Sequence, residues 1–130
     1  MRRHEQALLL LQKAREDETL VEEVLASQRV SDEIVGFHCQ QAAEKFLKAV
    51  LSEIGVYFQR THNLRQLMDL LSDARHPLPD DLNELDTLTP FGTTFRYDMI
   101  SAGHEFDRQQ AREMLRQLRT WVEQITRPHQ

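Results

Sequence analysis

Residues 36–54 read GFHCQQAAEKFLKAVLSEI, and their spacing decides the fold. Projected at 100° per residue, Cys39, Ala42, Ala43, Phe46, Leu47, Val50 and Ile54 share one broad arc, the apolar stripe of a helix packed on a core. His38, Gln41, Glu44, Lys45 and Lys48 fall on the opposite arc. Ser31 stands where an N-cap belongs, and Gly55 is a good residue for the position just past a helix end. The spacing therefore predicts one long helix from Ser31 to Ile54.

The same period extends in both directions. Ala7, Leu11, Ala14, Val21 and Leu25 follow steps of four, three, seven and four, which predicts a first helix over about His4 to Ala26. After a connector at residues 56–60 with mild strand character, Thr61 or Asn63 can cap a third helix carrying Leu64, Leu67, Met68 and Leu71. Pro77 and Pro79 break it, and a short fourth helix holds Leu82, Leu85 and Leu88. Residues 89–103 show no clean period. A last helix over about His104 to Thr126 aligns Ala111, Met114, Leu115, Leu118, Trp121, Val122 and Ile125. Long amphipathic helices with short connectors predict an all-α, antiparallel up-and-down bundle of four to five helices.

Size and composition agree with a single domain spanning residues 1–130, since domains run to about 100–200 residues. The net charge of −5 argues against the broad basic footprint of a double-stranded DNA binder. The one cysteine, Cys39, excludes an intramolecular disulfide and a Cys-rich zinc site, which suits a cytoplasmic protein. The longest apolar run, Ala7 to Leu11, is too short to span a membrane, and no small-residue cleavage site follows it. The six histidines show no metal-ligand spacing, and there is no Gly-rich phosphate loop. Neither a metal nor a cofactor is expected.

His38, Gln41, Lys45 and Lys48 are spaced 3, 4 and 3, so they form one continuous ridge. Two of only three lysines in the chain lie on it. Lysine supplies point charge while Gln and His supply directional hydrogen bonds, a combination that can hold an anion. The plainer alternative is a solvated face with Glu44 and Lys48 as a local pair. Arg108, Arg112, Arg116 and Arg119 form a second basic stripe, on the last helix. It can meet phosphates, or it is a solvated face with Glu113–Arg116 and Arg119–Glu123 pairs.

The string His38-Cys39-Gln40-Gln41-Ala42-Ala43-Glu44-Lys45-Phe46-Leu47-Lys48-Ala49, then Gly55, Thr61-His62-Asn63-Leu64 and Arg96-Tyr97, resembles the HEPN (higher eukaryotes and prokaryotes nucleotide-binding) family over roughly residues 5–125. The resemblance implies a helical bundle, usually a homodimer, with nucleotide or RNA binding as its general role. It also implies a partner, a minimal nucleotidyltransferase, in a toxin–antitoxin-like two-protein system. By position, Gln41, Glu44, Lys45, Lys48, His62, Arg96 and Tyr97 match the family pattern. Gln41, Lys45, Lys48, His62, Arg96 and Tyr97 are the ligand-binding candidates. Glu44 and Lys45 can alternatively pair with neighbouring helices and fix bundle register.

Many members of that family are metal-independent endoribonucleases with an Arg, four to six residues, then a His. Imidazole can move the 2′-hydroxyl proton, and guanidinium can stabilise charge developing on phosphorus. Here the catalytic candidates are Arg96 and His104, with seven residues between them. That departure favours His104 as a helix start, with Arg96 paired to Asp98, Glu44 or another carboxylate. The expectation is a binding module, with the ribonuclease as the alternative and a pure protein-interaction module as a third reading.

Overall fold

A computed structural model describes residues 2–93 and 106–127. All of the regular structure in these residues is helical. The elements are α1 (Arg3–Val24), α2 (Asp32–Ile54), α3 (Leu64–Asp73), two 3₁₀ turns (Asp80–Leu82 and Leu85–Leu88), the one-turn α4 (Pro90–Thr93) and α5 (Arg108–Thr126). The connector at 56–60 forms no strand.

Local chemistry sets the helix ends. The Ser31 hydroxyl accepts from the Ile34 N–H, and Asp32 and Glu33 lie in the first turn, favourable for the helix dipole. At the other end Gly55 takes the left-handed conformation (φ 77°). Its N–H reaches the Leu51 and Ser52 carbonyls, and the Val56 N–H returns to the Leu51 carbonyl at 2.9 Å. Asn63 caps α3 by accepting from the Gln66 N–H. Asp107 caps α5 in the same way at Gln110, so this helix begins at Arg108 rather than near His104. The expected fourth helix is instead two 3₁₀ turns. Leu82, Leu85 and Leu88 recur every three residues, which is the period of a 3₁₀ turn, and all three are buried.

Helix α2 is the centre of the bundle. It packs on α1, α3, α4, α5 and the second 3₁₀ turn. Ser52 near its end donates to the Arg3 carbonyl at the start of α1, so α1 and α2 are antiparallel. Contacts of Arg116 with Glu22 and of Arg15 with Glu123 make α5 antiparallel to α1 as well. The apolar side of α2 forms the core with Leu11, Val21, Leu67, Leu71, Leu85, Leu115 and Leu118. Cys39 is fully buried in it, and burial pushes its thiol up to about 12, against a smaller opposing pull from Arg108.

Because neighbours surround α2, its polar side is largely covered too. Gln40 and Glu44 are buried. The opposite arc is therefore not a solvated face, because contacts from α1 and from the start of α3 reach it.

Candidate functional site

Two carboxylates organise the polar side of α2. The first is Asp17 on α1. Lys45 Nζ donates to its Oδ2 at 2.6 Å, and His38 Nδ1 lies 3.0 Å from its Oδ1. This one carboxylate grips two side chains seven residues apart on α2 and fixes the α1–α2 register. The second is Glu44. Lys48 Nζ donates to its Oε2 at 2.8 Å, and the Gln40 amide donates to its Oε1 at 3.1 Å. His62 Nδ1 lies 2.7 Å from the same Oε1.

Burial pushes the Glu44 carboxyl up. Hydrogen bonds from Lys48, His62 and Gln40 outweigh that push and hold it below the ordinary carboxylate value. The Gln40 amide also donates to the His62 carbonyl at 2.8 Å, while its oxygen accepts from the Gln41 amide at 2.8 Å. Thr61 and Asn63 flank His62, and their turn and cap hydrogen bonds fix the backbone that presents its ring. Lys48 also stands 5.8 Å above the Phe58 ring, within cation–π range.

The structure thus brings together Gln41, Glu44, Lys48 and His62 through Gln40, with Lys45 joined to Asp17 beside them. Each lysine of the ridge is paired with a carboxylate of this chain. Lys45 and His62 keep side-chain exposures of 28% and 49%, whereas Lys48 keeps 13%. The reachable edge of the network is therefore Lys45, the equally exposed His38, and His62. Arg96, Tyr97 and His104 lie outside the described residues. At the two described borders of that segment, the Phe91 and Phe106 rings pack with centroids 5.1 Å apart. Gly92 lies directly against the Gln40 amide.

The arginines of α5 are inter-helix ties rather than a solvated stripe. The Arg108 guanidinium donates to the Val24, Leu25, Ser27 and Val30 carbonyls and to Asp32, plugging the α1–α2 turn. Arg116 forks onto both Glu22 oxygens at 2.9 and 3.2 Å, not onto Glu113. Arg119 stands 3.9 Å from Glu123 as expected, but is closer to Glu18, at 3.6 Å.

Sequence reasoning missed the roles of Asp17, Gln40 and Glu18, and it placed Arg108 on a basic stripe without its partners. For Glu18 a signal existed. The buried positions of α1 are Ala7, Leu11, Ala14, Glu18 and Val21, in steps of 4, 3, 4 and 3. Glu18 fills the core position that the apolar pattern skips.

No group of three or more potential metal ligands occurs among the described residues, and no described helix is long and apolar enough to cross a membrane. Neither a curated protein nor a solved structure matches the chain. The family model for the HEPN domain matches residues 7–125. That match runs from the first core residue of α1 to the end of α5 and includes both carboxylate nodes, so the chain belongs to the HEPN family.

Proposed function

We propose that this chain is a binding module for a nucleotide or an RNA end, acting as a homodimer beside a minimal nucleotidyltransferase in a toxin–antitoxin-like pair. Family membership supports the ligand class. One observation supports the place: Lys45 and His62 close the carboxylate nodes from the solvent side and stay partly exposed. An ammonium has three N–H donors, and among the described residues Lys45 uses one, on Asp17. Its other donors can meet a phosphate oxygen. Gln41, one turn before it on α2, and the His62 ring add directional hydrogen bonds. The two lysines are matched by Asp17 and Glu44, so selectivity here rests on hydrogen-bond geometry more than on net charge.

Calorimetry with ATP, GTP and a short RNA tests this reading. Binding should weaken at least tenfold in Lys45→Ala, and further with Lys48→Ala added, while thermal melts report whether each variant stays folded. Affinity unchanged in the folded Lys45→Ala variant overturns the residue assignment.

The pairing of both ridge lysines with internal carboxylates favours a second reading, a protein-interaction module whose polar network only fixes the bundle. It predicts no nucleotide affinity and a partner interface of about 1,600 Å² in total.

A further inference from the structure

The outward side of α1 carries a stripe that the α2 network does not use. Leu9, Lys13, Glu16 and Leu20 follow steps of four, three and four, so at about 100° per residue they share an arc of about 60°. Leu9 is 47% exposed and Leu20 39%, and Lys13 and Glu16 between them are exposed as well. Beside Leu20, between the end of α1 and the start of α2, opens an apolar cleft of about 280 Å³, lined mainly by Val21, Val24, Val30, Ile34 and Val35. Leu8, Leu9, Leu20 and Ile34 are four of the five exposed large apolar side chains among the described residues. The apolar surface left open to water is therefore gathered on α1 and the start of α2.

A single exposed leucine needs no explanation, but the order of this stripe does. Its midpoint lies between Ala14 and Arg15, and each member has a counterpart equally far on the other side: Leu9 has Leu20, and Lys13 has Glu16. A two-fold axis through that midpoint, perpendicular to α1, sets leucine against leucine and ammonium against carboxylate. Lys13 and Glu16 lie on opposite sides of the midline of the stripe, and the same rotation brings one over the other. An interface between identical copies has this property: residue i meets j, and j meets i. A partner of different sequence would not require it. The two leucines stand about 16 Å apart along the helix, at 1.5 Å per residue, which leaves room for both charge pairs between them. Lys13 and Glu16 are only 3.5 Å apart within one chain, so two copies join them into a four-charge cluster.

We propose that the outward face of α1 is the surface through which two copies of this chain pair, with the helices antiparallel, Leu9 on Leu20 of the second copy and Lys13 on its Glu16. Leu8 flanks the stripe, and its counterpart about the axis is Val21, which lines the apolar cleft. The second copy therefore covers the cleft and Ile34 together with the stripe. The inference rests on the homodimer reading above and supplies the face and the register of that dimer.

Sedimentation of the full chain over a concentration series tests it, with circular dichroism confirming the fold of each variant. The wild type should dimerise, and Leu20→Glu should be monomeric. Lys13→Glu and Glu16→Lys should each weaken the dimer at least tenfold, because each sets like charges across the axis. Mixed in equal amounts, these two variants should pair with each other about as tightly as the wild type, since an acidic stripe then faces a basic one. A wild type that stays monomeric overturns both this face and the homodimer reading. A dimer that persists in Leu20→Glu, charge reversals without effect, or variants that stay apart when mixed overturn the face while sparing the homodimer reading.

Discussion

Gly92 lies so close to the Gln40 amide that a Cβ at position 92 would stand 2.2 Å from Gln40 Cδ and 2.4 Å from its Oε1. The glycine lets the one-turn α4 press onto α2 at the residue that joins Glu44, Gln41 and the His62 carbonyl. The approach therefore couples the packing of α4 to the polar network.

Gly92→Ala should destabilise the chain. Gln40 is fully buried and its amide is bonded on both atoms, so it can yield only by giving up those bonds. Overpacking and lost buried hydrogen bonds put the cost at about 1–3 kcal/mol. Urea unfolding measures it. Adding Gln40→Ala removes the clash, so the double variant should lose less than the sum of the two single ones.

Glu44 should dominate the acid limb of stability. The folded chain holds its carboxyl below the ordinary carboxylate value of 4.5. The unfolded chain therefore binds the proton first, and stability falls as pH drops from about 4.5 through the folded value. Thermal melts between neutral and acidic pH should show this loss in the wild type and a flatter profile in Glu44→Gln. At neutral pH the same variant leaves the largely buried Lys48 ammonium uncompensated, at a cost of about 3–5 kcal/mol.

The parts legible in the sequence were those that local chemistry determines. Ser31 and Gly55 marked the limits of α2 because a cap is read by its own neighbours. The leucine triplet at 82, 85 and 88 marked buried positions, but the short helix expected there is two 3₁₀ turns. The polar side of α2 was visible as a ridge, whereas its partner Asp17 was not. Nothing in the run Glu16-Asp17-Glu18 shows that Asp17 meets α2 while Glu18 meets α5. The partners of Arg108 were unreadable for the same reason: its bonds span 76 to 84 positions, and no local pattern encodes them.

Glu18→Gln should stabilise the chain at neutral pH by on the order of 1 kcal/mol. Burial raises the Glu18 carboxyl; Arg119 opposes that and Glu22 adds to it. The folded chain then keeps a proton that the unfolded chain has lost, so the glutamate costs stability as pH rises above about 4.5. Arg119 is not stranded by the change, because it is 39% exposed and has Glu123 as a second partner. The gain should shrink toward acidic pH, where both states of the wild type are protonated. Denaturant titrations at two pH values check the sign.

Purified protein incubated with RNA in EDTA should leave the RNA intact. A metal-independent cleavage needs an imidazole on the 2′-hydroxyl and a guanidinium on the developing charge at the same phosphate. Seven residues separate Arg96 from His104, against four to six in the family's nuclease pattern. Cleavage by the wild type that disappears in both Arg96→Ala and His104→Ala would assign the chain to the endoribonucleases of its family. Cleavage that persists equally in both variants would instead indicate a contaminating nuclease, because neither proposed group would then take part.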